Sequence, residues 1–302
     1  MKTAFYNAKV YVDPGHFEEA ILVEDGLITA VGSAQEILSM NPEEKVDCFG
    51  KTMIPGFNDS HSHLMMISSN RQHLQLMEAK SIDDVLHRGR EFLKERPHLK
   101  VLYGLAWNPS YFTSGEMRNL TRHDLDKIST DIPILLVRAC GHMIVCNTKA
   151  LELSGVTSET PQVPGGVFEI DEDGPNGCFF ENAKDLIDHL RPFLTKEEML
   201  EALKETFKYA LSLGITTVQT NDLGLMYSQE DALYVYDHLY KDQNIATLRT
   251  HHQICFDSPE DFDAFAKEHY FEPTPSPKMT WGPLKLFKDG TLGGHSALLS
   301  EA

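Results

Sequence analysis

The sequence predicts an α/β chain whose later part is laid out as parallel βα units. Three observations predict it. From residue 195 onward, strand-like and helix-like runs alternate, the pattern of βα units on a parallel sheet. Upstream, an apolar run from Met53 leads into His61-Ser62-His63, two imidazoles spaced to share one side of a strand. The first fifty residues read differently, as short strands about tight turns.

In chain order, Ala20–Val23 and Leu27–Val31 flank Asp25-Gly26, a strong hairpin signal. Ser33 and Glu36 form a capping box for a short helix that ends before Pro42. Ser81 and Asp84 start a helix with the stripe Val85, Leu86, Phe92 and Leu93, stopped by Pro97. Strands follow at Val101–Leu105 and Ile134–Val137, and the stretch 160–177, rich in Gly and Pro, reads as a long loop or hairpin. Thr195 and Glu198 cap a helix with Leu200, Leu203, Phe207 and Leu211 inward, ended by Gly214. The alternation then runs through a strand at Ile215–Thr220, a helix near Asp231–Tyr240 and a strand at Ile245–His251. A helix near Pro259–His269 and a strand at Leu284–Phe287 complete it.

Composition narrows the partners. A net charge of −18 argues against nucleic acid, whose phosphates require basic surface. The five cysteines are scattered and none pairs at a zinc-knuckle or redox spacing, so reduced thiols and a cytoplasmic location are expected. No stretch is apolar for long enough to act as a membrane span, so no membrane partner is expected. With 41% hydrophobic residues over 302 positions, the chain has material for more than one domain.

The chemistry concentrates at Asp59, His61 and His63. Neutral imidazoles converging at a strand end hold one divalent ion, and zinc, nickel and iron all accept such ligands.

With these residues the chain resembles the amidohydrolase superfamily, and within it the YtcJ-like metal-dependent group. The matching elements are Pro55–His63, Gly141-His142 with Asn147 and Ala150-Leu151, Pro164-Gly165-Gly166, Gly177–Ala183, Gly214–Thr217 and Lys285–Gly293. They lie in the expected order over most of the chain. The resemblance implies a (β/α)8 TIM barrel with metal at the C-terminal ends of its strands, a small β-sandwich domain and an α/β insertion between strands one and two. On that map residues 1–52 belong to the β-sandwich, 53–64 to strand one, 65–194 to the insertion and 195–302 to strands two to four.

The resemblance also implies a carbamylated lysine on strand four that bridges one or two divalent ions. Zinc is favoured, with manganese, iron or nickel as alternatives. The sequence offers Lys285 and Lys288. Strand parity sets Leu284 and Leu286 outward and Lys285, Phe287 and Asp289 toward the lumen, so Lys285 is the candidate. Candidate substrate contacts are Trp107, His142, Glu181, His251 and His295, the last standing where the family often has Arg. Each has a plainer reading. Trp107 would pack the insertion, His142 would be a hydrogen-bonded structural histidine, and Glu181 would cap the next helix.

The expected reaction is hydrolysis of a small molecule's non-peptide carbon–nitrogen bond. Esters or lactones are alternatives, and a homodimer is a possible assembly. In the family two further histidines come from strands five and six, and the general base from strand eight, so no catalytic base is assigned in this chain. Setting aside the β unit and the insertion leaves roughly 120 residues for a barrel that typically takes about 250. The sequence is therefore expected to be an N-terminal portion with about half of the barrel, inactive alone. The other outcome is a truncated product serving as a binding or assembly module.

Overall fold

The computed structural model describes residues 1–224, 227–242, 248–256, 258–270, 274, 276–286 and 288. The first 53 residues form two small sheets. One has four strands in the order Leu27–Gly32, Ala20–Glu24, Lys2–Tyr6, Glu44–Asp47. The other orders His16–Glu18, Lys9–Asp13 and Thr52–Met53. The expected hairpin is present. Asp25 and Gly26 both take positive φ, 49° and 83°, which matches the right-handed twist of the paired strands. The helix Ala34–Ser39 carries the full Ser33–Glu36 capping box and buries Ile37.

Residues 74–181 supply a six-stranded mixed sheet. Its order is Gly166–Asp171, Gly174–Glu181, Met143–Cys146, Ile134–Arg138, Leu102–Trp107, Leu74–Gln75. The stretch read as a loop or hairpin is an antiparallel hairpin. Met143–Cys146 and Leu74–Gln75 are strands that the sequence pattern did not reveal. The helix Ile82–Glu95 starts on Ser81 as expected and buries Val85 and Leu86 against this sheet.

The third unit carries the histidine pair. Four parallel strands stand side by side in chain order: β1 (Phe57–Ser62), β2 (Ile215–Leu223), β3 (Arg249–Cys255) and β4 (Met279–Lys285). Three helices pack with them: α1 (Leu64–Arg71), α2 (Lys196–Ser212) and α3 (Gln229–Lys241). One apolar cluster joins Leu64 and Met65 of α1, Leu203 and Phe207 of α2, Val235 and Tyr236 of α3, and Val218 and Ile254 of the strands. Burying a side chain such as Phe207 stabilises by about 1.5–3 kcal/mol, so this cluster fixes the helices on the sheet.

All four strands differ in a boundary from the sequence reading, β2 running past Thr220 to Leu223. β1 begins at Phe57, whereas Met53 belongs to the small N-terminal sheet. Pro55 lacks the N–H that a ladder needs. Gly56 passes so close to Thr216 that a Cβ there would lie 2.3 Å from its Cγ2. β3 continues to Cys255, which places His251 in mid-strand rather than at an end; Ile245–Thr247 lie outside the described residues. β4 begins at Met279 and takes Pro283 in its course, at a register shift where a missing N–H is tolerated.

Candidate metal centre

β1 ends at Ser62, and His63 is the first residue beyond it, at the N-cap position of α1. The two rings nevertheless meet, edge to face, with centroids 5.2 Å apart. Two imidazole nitrogens held about 2 Å from one tetrahedral ion keep their ring centroids roughly 5 Å apart. The observed spacing therefore fits two ligands on a single ion.

The tautomer of His63 follows from its partner. Its Nδ1 lies 2.5 Å from the backbone oxygen of Asn221. A carbonyl oxygen only accepts, so Nδ1 carries the proton and donates. Nε2 is then the atom with the lone pair, as a metal ligand requires. Asn221 is buried, and its side-chain amide donates to the Gln253 oxygen at 3.0 Å, which ties this acceptor to β3. Asp59 turns back along its own strand, its Oδ1 accepting the His61 N–H at 3.2 Å.

Behind the pair lies a buried polar group. Thr220 Oγ1 accepts from Leu64 N at 3.0 Å and donates to Asp222 Oδ2 at 2.6 Å. Asp222 Oδ1 accepts from Met65 N at 3.1 Å, and Tyr236 Oη donates to Oδ2 at 2.6 Å. Burial pushes the Asp222 carboxyl up, opposed by hydrogen bonds from Thr220, Tyr236 and Met65 and by nearby His63. Burial and the Asp222 charge both push the Tyr236 phenol well up, keeping it a donor. Sequence reasoning missed this group. The readable signal was Gln219-Thr220-Asn221-Asp222, four polar residues where a strand buried on both faces calls for apolar ones.

Lys285 is the last residue of β4 and is half-buried. β4 gains one residue against β3 between Trp281 and Leu284, so alternation counted from Thr280 breaks there. Leu284 stands opposite Ile254, a member of the apolar cluster, and Lys285 stands opposite Cys255. Lys288 is exposed. Asp289 and His295 lie outside the described residues.

The remaining candidates divide. Trp107 is fully buried, with Nε1 donating to the Leu136 oxygen at 2.9 Å, and it packs the apolar cluster beside the six-stranded sheet. His142 and Glu181 are both exposed and joined, Nδ1 to Oε2, at 2.8 Å. Glu181 holds φ 50° and ψ −128°, a conformation that costs a residue with a Cβ about 1–3 kcal/mol. His251 bonds Thr280 across β3 and β4 at 2.9 Å. A Cβ on Gly282 would lie 2.9 Å from its Nε2, so only glycine lets this ring lie over β4. His252 points the other way, fully buried against Tyr236, and burial with the adjacent His251 pulls it down to about 3.

Among the described residues, one set of three His, Cys or carboxylate atoms falls within ligand spacing. It is His123, Asp171 and Asp173, all exposed. No described His, Cys, Asp or Glu completes His61 and His63 to three at that spacing.

Against this geometry stands the profile of the amidohydrolase family, which matches residues 44–302. The chain belongs to the amidohydrolase family. It is 32% identical over 310 residues to the YtcJ protein of Bacillus subtilis (strain 168), covering 100% of this chain and 56% of that protein. It is 31% identical over 174 residues to an N-substituted formamide deformylase of Arthrobacter pascens, covering 56% of this chain and 32% of that one. A solved metal-dependent hydrolase from Pyrococcus horikoshii OT3 superposes with a TM-score of 0.68 at 25% identity, over 99% of this chain and 57% of its own. The chain thus spans little more than half the length of the YtcJ relative. It is a YtcJ-like member of the amidohydrolase family with a mixed α/β fold. Among the described residues no helix is long and apolar enough to cross a membrane.

Proposed function

We propose that this amidohydrolase cleaves a non-peptide carbon–nitrogen bond of a small molecule, with His61, His63 and a carbamylated Lys285 holding a divalent ion, zinc foremost. The observation that carries the proposal is the histidine pair: rings 5.2 Å apart, one with its tautomer fixed by the Asn221 oxygen. The C–N specificity draws support from the similarity to the formamide deformylase. A divalent ion in such a site acidifies water toward a pKa of about 7 and polarises a carbonyl oxygen.

This chain's own part is to orient and hold. Asn221 keeps the His63 proton on Nδ1. The Lys285 ammonium gives up one proton, and addition of CO2 to the resulting amine forms an N–C bond and releases a second, turning a cation into an anionic oxygen donor. His142 and Glu181 are the proposed contacts for a polar substrate group. With Nδ1–H donated to the carboxylate, His142 presents Nε2 as an acceptor, and the strained Glu181 backbone is the kind of feature that collects at functional sites. His251, on the exposed side of β3, is a further proposed contact.

The test is zinc binding to this chain by equilibrium dialysis under CO2, together with hydrolysis of matched amide and ester panels by a zinc-loaded protein that carries this chain and spans the full length of the YtcJ relative. Zinc is expected to be lost in His61→Ala and His63→Ala, and amides are expected to react ahead of esters. Retention of zinc in the double variant would overturn the metal assignment, and turnover confined to esters would overturn the bond assignment.

A further inference from the structure

The residue at a helix N-cap is ordinarily Ser, Thr, Asp or Asn, whose side chain accepts a free N–H of the first turn. At the start of α1 that position is His63, which makes no such bond. The capping is done from another strand. Leu64 N–H goes to Thr220 Oγ1 and Met65 N–H to Asp222 Oδ1, while the His63 ring goes to the Asn221 oxygen between them. Three consecutive residues of β2 therefore grip three consecutive residues of β1–α1. The pairing of β2 with β3 shifts register between Thr220 and Leu223, and the extra residue of a bulge lets neighbours on one strand be used together.

From this arrangement we infer that Thr220, Asp222 and Tyr236 form a positioning device for the His63 ligand: they cap α1 in its place and free its ring for the metal. This rests on the proposed metal centre. The device is closed, since Asp222 Oδ2 takes two hydroxyl donors, from Thr220 and Tyr236, and Oδ1 takes the Met65 N–H. All four β2 and α3 residues involved are buried, with Thr220, Asn221 and Tyr236 at 0% exposure and Asp222 at 4%. None of the three positioning side chains needs to touch the ion. They set where Nε2 lies by setting where the helix begins. Partners of this kind behind a metal ligand typically change metal affinity roughly 10- to 100-fold when removed.

The experiment uses the 302-residue chain with zinc ion as the probe. Two readouts are taken for each variant. One is the zinc dissociation constant by chelator competition. The other, in the metal-free protein, is the ring-nitrogen signature of His63 in long-range proton–nitrogen NMR correlations, assigned by its loss in His63→Ala. Thr220→Val removes both hydroxyl roles at constant shape, Thr220→Ser restores them, and Tyr236→Phe removes one donor to Asp222. Val235→Ala, in the same apolar cluster, serves as a control for destabilisation alone.

Thr220→Val and Tyr236→Phe are expected to weaken zinc at least tenfold and to move His63 from the Nδ1–H form to a tautomer mixture. Thr220→Ser and Val235→Ala should keep the parent values. Parent zinc affinity and His63 spectrum in folded Tyr236→Phe and Thr220→Val would overturn the inference. So would a weakening of zinc in Val235→Ala as large as theirs. If Thr220→Val does not fold, Tyr236→Phe against Val235→Ala decides alone. Failure of the metal reading itself looks different: the parent chain would hold no zinc through His61 and His63, while the His63 tautomer would still respond to Thr220.

Discussion

His73 offers a pH dependence whose size follows from its surroundings. It is 8% exposed, its ring meets Tyr103 edge-on with centroids 5.0 Å apart, and its Nε2 is buried with no hydrogen-bond partner. Burial first, and then the positive charge of Arg191, pull its pKa from 6.5 down to about 4. Arg191 is held nearby by stacking over the Tyr103 ring. In the unfolded chain the imidazole returns to its ordinary value, so below pH 6.5 the unfolded state binds the extra proton. The contribution is complete above about pH 6.5 and is lost as pH falls toward 4. At 1.36 kcal/mol per decade the full gap is worth about 3 kcal/mol, most of which is lost between pH 7.5 and 4.5. His73→Phe keeps an aromatic ring against Tyr103 and removes the titration. Urea denaturation at the two pH values should show the parent losing about 2–3 kcal/mol more than the variant. Equal acid losses in the two proteins would refute the reasoning.

Two further outcomes test other parts of the region around the six-stranded sheet. Asp124, 1% exposed, is held by Arg118 at 2.6 and 3.0 Å and by the Thr121 N–H at 3.0 Å, so Asp124→Asn should cost about 3 kcal/mol in urea denaturation; a loss below about 1 kcal/mol would count against a buried bidentate pair. Cys146 and Cys178 are buried and their thiols are pushed up by that burial, whereas Cys140 is exposed. Iodoacetamide on the native chain should therefore modify Cys140 well before either, as mass mapping would show, and equal rates at all three would sink the assignment.

Helix starts were legible because their signal is local. Ser33, Ser81 and Thr195 each accept a first-turn N–H three residues on, as their spacing to Glu36, Asp84 and Glu198 announced. Strand ends were less legible, since pairing decides them. The run Ile245–His251 looks apolar and β-branched, yet the described ladder carries on to Cys255, because β2 and β4 continue to offer partners there. β4 also starts earlier than the run Leu284–Phe287 and passes through Pro283, which the register shift beside it admits. That shift also limits the parity argument for Lys285. Alternation is a reliable guide only between bulges, and the residue opposite Lys285 is Cys255 only because β4 carries one more residue between Trp281 and Leu284 than β3 carries between His252 and Ile254, which a count along the sequence does not reveal.

The candidate site divides along the same line. His61 and His63 were legible because the two positions of a His-x-His pair settle their own proximity. What fixes the His63 ring for its proposed role was not legible, because its Nδ1 partner and its capping surrogates lie 156 to 158 residues away. Trp107 shows the converse. It sits at the end of a strand beside a left-handed Ala106, a position that suggested a pocket, but the same turn drives the indole into the core and hands its N–H to Leu136. Local sequence marks where a side chain leaves the sheet, while the neighbouring strand decides what it meets. For that reason the polar run Thr220-Asn221-Asp222 is the more informative counterpart of His61-Ser62-His63. A parallel strand accepts buried hydroxyl and carboxylate groups only where another element needs them, and here that element is the helix that begins at His63.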